Sequence, residues 1–187
     1  ADSFRSMPDA ARAAASVPRI PSSRSMVSTR EDAVRAVQAC KYPPQGVRGI
    51  GGARRALYGG PDYLEHANEE IAVIVQIETL EAVQNIDEIL SVPGIDVYFI
   101  GPNDLSAALG LRPSSDNRDP RFLEVVQRLI AAGRRHGIAG GIYCDTPEAA
   151  SESIAWGLQF VSLANDMTIL GRAAQSGLSA IRTRPSG

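Results

Sequence analysis

Four apolar runs, each followed by a helical pattern, predict an α/β fold with a parallel sheet in this 187-residue chain. Two features of the runs point the same way. The best of them is continuous rather than alternating, as strands buried on both faces of a parallel sheet are. The strict strand–helix alternation then calls for right-handed crossovers between neighbouring parallel strands.

The elements follow in chain order from about Thr29. Residues 1–28 show no clean period: Ala10 to Ala15 spells at most a helical turn, and Ser16 to Met26 is rich in Pro and Ser. This segment reads as irregular, with residues 29–187 forming one domain. Thr29 is an N-cap candidate ahead of Glu31 and Asp32, and Ala33, Val34, Val37 and Cys40 recur at helical spacing. Tyr42-Pro43-Pro44-Gln45-Gly46 breaks that helix, a Gly-rich loop follows, and Pro61 to Glu70 suggests a short helix. Ile71 to Ile77 is the β-branched run. Thr79 to Leu90 is helical, with Ala82, Val83, Ile86, Ile89 and Leu90 on one face. Pro93-Gly94 turns the chain into a strand over 96–100. Phe122, Val125, Val126, Leu129, Ile130 and Gly133 mark a long amphipathic helix. A strand at 138–144, a helix at 147–156, a strand at 159–164 and a last helix capped by Asn165 complete the order. A full (β/α)8 barrel takes about 250 residues, so four strands are about half of one. Internal repeats and low-complexity tracts are absent.

Composition narrows the function. With 44% apolar and 21% charged residues and a net charge of -2, this is the balance of a soluble globular protein. The Arg54-Arg55 doublet makes no stripe, which argues against nucleic acid. Two cysteines, Cys40 and Cys144, lie far apart and read as buried thiols of a reducing compartment. A bilayer-spanning run and a secretory leader are both missing from the sequence, so a cytoplasmic setting is expected. The first residue is Ala1 rather than Met, which suggests a trimmed start.

Chemistry is expected at the C-terminal ends of the strands, which share one edge in a parallel sheet. Gln76-Ile77-Glu78-Thr79 ends the first strand and Gly101-Pro102-Asn103-Asp104-Leu105-Ser106 follows the second. Glu78 and Asp104 are 26 residues apart, one βα unit, which places both carboxylates at neighbouring strand tops. Two carboxylates that close repel unless a cation compensates, and a pair with open positions is how Mg²⁺ is usually held. The competing reading makes each acid a helix cap, Glu78 for the helix after it and Asp104 for one starting at Leu105.

Three segments together resemble the HpcH/HpaI aldolase family: Gln76-Ile77-Glu78-Thr79, Phe99 to Ser106, and Tyr42-Pro43-Pro44-Gln45-Gly46-Val47-Arg48-Gly49. The likeness runs from about Met26 to Ile181. It implies an incomplete (β/α)8 TIM-barrel-type fold, the C-terminal half with the early strands missing. It also implies a metal-dependent lyase that cleaves 4-hydroxy-2-oxo acids to pyruvate and an aldehyde through an enolate. In that resemblance Glu78 and Asp104 are the ligands of Mg²⁺, Mn²⁺ or Co²⁺, and Gln76 is a substrate-side glutamine. The Asn103 and Asp104 backbone N–H groups would receive the pyruvate carboxylate, as unpaired donors at a helix start can. Val17-Pro18-Arg19-Ile20-Pro21 resembles the motif whose arginine steadies the enolate, although Arg19 reads equally as a surface cation. The family's early catalytic His and its supporting Asp have no counterpart, since His66 and His136 fit neither motif. The strands before Arg19, and a helix and strand between Arg19 and Met26, are missing relative to the pattern. Impaired activity is therefore expected. A non-catalytic metal- or pyruvate-binding remnant and a citrate lyase β-like acyl-CoA lyase are the alternatives. Complete members of the family assemble into hexamers, with the last helix reaching a neighbour, so a homo-oligomer is expected. Lys41, the sole lysine, lies outside any strand end, which argues against Schiff-base chemistry.

Overall fold

A computed structural model describes residues 26–51 and 59–182. Arg19, Arg54, Arg55 and most of the expected irregular N-terminal segment fall outside the described residues. The order is α1 Arg30–Cys40, α2 Tyr63–Glu70, β1 Ile74–Ile77, α3 Leu80–Gln84, α4 Ile86–Leu90, β2 Val97–Ile100, α5 Pro102–Ala108, α6 Pro120–His136, β3 Ala139–Cys144, α7 Pro147–Trp156, β4 Phe160–Leu163 and α8 Asp166–Arg182. The four strands pair in sequence order, all parallel. Gln76, Phe99, Gly141 and Phe160 lie in one row across the sheet. Each neighbour is reached through a helical crossover, which is the (β/α)8-type pattern.

Burial divides the sheet differently from the sequence expectation. On β1, Val75 and Ile77 are buried while Ile74 and Gln76 are half-buried. One face therefore carries the main core, in which Val75, Ile77, Tyr98 and Ile100 pack with Ala82, Ile86 and Ile89 and with Val126 and Leu129 of α6. The other face would line the inside of a closed barrel, and four strands enclose it only in part. Tyr98, 1% exposed, fits against α6 and β3 because Gly133 and Gly140 lack side chains there. Burial pushes its phenol up to about 12.

Several boundaries moved for local reasons. The expected strand 71–77 begins at Ile74 because Val73 is occupied by Asp96: its N–H donates to the carboxylate at 2.7 Å and its carbonyl accepts from Asp96 N at 3.0 Å. The expected helix 79–90 is two short helices meeting at Asn85, whose side chain donates to the Ser28 carbonyl at 2.9 Å. Asn readily trades helical geometry for such bonds. Helix α6 is longer than its apolar stripe: Asp119 caps it, Pro120 opens it, and Gly137 closes it at φ 67°. Thr29 caps α1 in a full capping box with Asp32, whose carboxyl is held below its usual range despite the opposing effect of burial. Cys144 is buried but Cys40 is only half-buried, which corrects the expectation of two buried thiols; both are free. Among the described residues no helix is long and apolar enough to cross a membrane.

Candidate active site at the C-terminal edge of the sheet

Alternation along β1 puts Gln76 and Glu78 on the same side, two residues apart. The Gln76 amide donates to Glu78 Oε2 at 2.5 Å. The β1–β2 ladder continues one step past both strands, with Gly101 N donating to Ile77 O at 3.2 Å, and this sets Glu78 beside Gly101. A methyl group on Gly101 would lie 2.6 Å from Glu78 Oε2 and 2.9 Å from Gln76 Nε2. The absence of a side chain at 101 is thus what lets both groups lie across the second strand's end. Sequence reading named this Gly only as part of a motif.

Neither acid is a cap. Thr79 caps α3 through its hydroxyl, which accepts from Ala82 N at 3.0 Å. Helix α5 starts at Pro102 with Gly101 as its N-cap, so Asp104 sits inside the first turn. The expected start at Leu105 was late; Pro at the first helical position was the missed signal. Leu105 N makes the first intrahelical bond, to Gly101 O at 2.9 Å, so the Asn103 and Asp104 amides lie ahead of it.

Glu78 is 6% exposed and Asp104 is exposed, and the Asp104 carboxyl lies near enough for its charge to act on Glu78. Burial first, and the Asp104 charge second, push Glu78 above the ordinary carboxylate range, while the Gln76 amide works the other way. Among the described residues neither acid enters an ion pair with Lys, Arg or His. No third His, Cys, Asp or Glu joins them in a cluster there. The two carboxylates offer hard oxygen donors, one of them exposed, which suits a hard divalent cation that keeps positions for water or substrate.

The residues set aside by sequence do sit elsewhere. Lys41 donates to the carbonyls of Asn68 and Ile71, both at 2.7 Å, and so closes α2 at the N-terminal end of the sheet. His136 lies at the end of α6, also at the foot of the sheet, 3.0 Å from Asp87. His66 on α2 is 3.9 Å from Asp62. A further group went unnoticed in the sequence. Asp145, directly after β3, accepts from the hydroxyls of Ser115 and Tyr143 and is held below its usual range by them. Arg172 of α8 donates to its carbonyl at 2.5 Å. The strand-end rule that found Glu78 and Asp104 would have found Asp145 as well.

The family model for HpcH/HpaI aldolase/citrate lyase matches residues 6–173. A 5-keto-4-deoxy-D-glucarate aldolase of Citrobacter koseri is 36% identical over 158 residues, covering 83% of this chain and 61% of that protein. A 4-hydroxy-2-oxo-heptane-1,7-dioate aldolase of Shigella flexneri is 40% identical over 154 residues, covering 81% and 57%. Among solved structures, an HpcH/HpaI aldolase/citrate lyase family protein of Burkholderia cenocepacia superposes with a TM-score of 0.76 at 35% identity, covering 84% of this chain and 63% of that one. The chain spans about three fifths of the length of these relatives.

Proposed function

The chain belongs to the HpcH/HpaI aldolase/citrate lyase family, and we propose that it carries the cation-binding half of a pyruvate-type aldolase site, with Glu78 and Asp104 as the ligands. The observation that supports this most is a buried carboxylate at one strand end beside a second carboxylate at the next, neither of which enters an ion pair with Lys, Arg or His among the described residues. Such a pair is costly to keep unless a cation joins it. A divalent ion bound there would polarise the ketone of a 2-oxo acid and spread the charge that develops when C3 loses its proton.

The chain's own groups divide the remaining work. Gln76 fixes one Glu78 oxygen and turns its amide to the half-open face where substrate would enter. The Asn103 and Asp104 amides offer donors to the pyruvate carboxylate. Neither histidine is placed to take or return the proton at the aldehyde oxygen, because each lies beside an aspartate elsewhere. Arg19 would steady the enolate charge if it reaches the site. This reading gives a 4-hydroxy-2-oxo acid as substrate, pyruvate and an aldehyde as products, and weak cleavage by this chain alone. A cytoplasmic setting goes with it, on the strength of free thiols and small-molecule substrates.

Assembly is part of the same reading. On α8, Met167, Leu170, Leu178 and Ile181 are exposed, a face that a second copy would cover in a homo-oligomer. A clean monomer by light scattering at high concentration counts against that. For the site, calorimetry with Mn²⁺ on Glu78→Ala and Asp104→Ala is decisive: each loses binding, and unchanged affinity in both variants refutes the assignment.

A further inference from the structure

We propose that Asn117 is a positioning residue for Asp104 and acts through Ser106; the inference rests on the cation-binding reading above. Ser106, on α5 two residues after Asp104, is completely buried. Its hydroxyl donates to the Pro102 carbonyl at 2.6 Å and accepts from Asn117 Nδ2 at 2.9 Å. Asn117 cannot be turned the other way, because its Oδ1 accepts from Asp119 N at 2.9 Å. The amide can therefore only donate to Ser106, and this commits the hydroxyl proton to Pro102.

Back-bonding of a Ser hydroxyl to the carbonyl four residues earlier bends a helix. In α5 that bond ends in the first turn, which holds Asp104. The Ser106 carbonyl meanwhile accepts from Leu109 N and Leu111 N at the helix's far end. One buried serine thus joins both ends of a helix of only 7 residues, and Asn117 sets its polarity. The loop does not need this bond to close, since Ser115 already ties it to Asp145 and the Asp119 N–H already holds Asn117. What the bond adds is a fixed direction for the turn carrying Asp104. Groups that orient a metal ligand from behind typically change affinity by about 10–100-fold when removed. Acting through one intermediary, Asn117 belongs at the low end, about 10-fold.

The test uses the visible spectrum of bound Co²⁺ and the calorimetric affinity for Mn²⁺. Asn117→Asp keeps the acceptor for Asp119 N but reverses the bond to Ser106, drawing the hydroxyl proton off Pro102; Asn117→Ala removes the bond without adding charge. Both should shift the Co²⁺ bands and weaken Mn²⁺ binding about 10-fold. The double variant Ser106→Ala/Asn117→Ala should lose no more than Ser106→Ala alone. Arg118→Ala, which removes only the ion pairs of the same loop to Asp116 and Glu152, should match the wild type in both readings. Co²⁺ spectra of both Asn117 variants superimposable on the wild type, whatever their melting temperatures, overturn the proposal while leaving the metal site standing. So does a double variant whose loss is the product of the single losses. If Ser106→Ala does not fold, the two Asn117 variants decide. A wild-type chain that gives no Co²⁺ spectrum overturns both the proposal and the reading beneath it.

Discussion

Replacing Gly101 by Ala should cost the site far more than it costs the fold. The backbone at 101 has φ -88° and ψ 92°, which any L-residue adopts, so the change adds no backbone strain. The new methyl group, however, would stand 2.6 Å from Glu78 Oε2, 2.9 Å from Gln76 Nε2 and 3.1 Å from Glu78 Cβ, where ordinary contact begins at 3.4 Å. The two polar ends are tips of flexible side chains and can swing away. Losing the N-cap Gly for Ala costs about 0.5–1 kcal/mol, a fall in melting temperature of about 1–4 °C for a chain of this size. The carboxylate oxygen must move by about 0.8 Å to regain contact distance, several times the roughly 0.2 Å tolerance of a metal–ligand bond. Affinity for Mn²⁺ or Mg²⁺ should drop by about 10-fold or more. Isothermal calorimetry, with a thermal melt on the same sample, separates the two effects. An affinity within about twofold of wild type at the expected small loss of stability would show that Glu78 does not ligate from across Gly101.

Other consequences follow from the same structure. Glu78→Gln removes a charge whose folded-state pKa is raised by burial and by Asp104. An acid so shifted stabilises the fold fully below its unfolded pKa and loses that contribution as pH rises through the folded value. The metal-free Gln variant should therefore melt higher than wild type at neutral pH, with the gap closing in acid, yet gain nothing from Mn²⁺; a variant that melts lower at pH 7 contradicts this. Asp87 shows the opposite sign. Arg135 and His136 hold its pKa below 3.8, so its contribution is present above that value and fades as pH falls through the lower one. Melts of Asp87→Asn and wild type should converge in strong acid, once pH has fallen through the lowered folded-state value. Gly140→Ala would press a methyl group into the Tyr98 ring, costing about 1–3 kcal/mol and lowering the melting temperature without altering Mn²⁺ affinity. Lys41→Met should lose about 1–3 kcal/mol by orphaning two carbonyls, again with metal binding intact.

Local patterns along the chain were enough to read the parallel α/β order, the four strands and their succession. Hydrophobic runs and helix caps are local signals, and the rule that parallel neighbours need helical crossovers turns them into a topology. Glu78 and Asp104 were legible for the same reason: each sits beside a strand end, and one βα unit separates neighbouring strand ends. A strand start was misjudged where a distant side chain took over the backbone, as Asp96 does at Val73, and a helix break was missed at Asn85, whose side chain donates to the distant Ser28 carbonyl. Only the paired strands showed that Glu78 lies beside Gly101 and that neither acid is a cap, because the register of β1 on β2 sets that neighbourhood. The packing also brought a distant loop residue onto the helix that carries Asp104. Asn117 lies 11 residues from Ser106 with no periodicity between them, and a single hydrogen bond across a loop leaves no trace in composition or spacing.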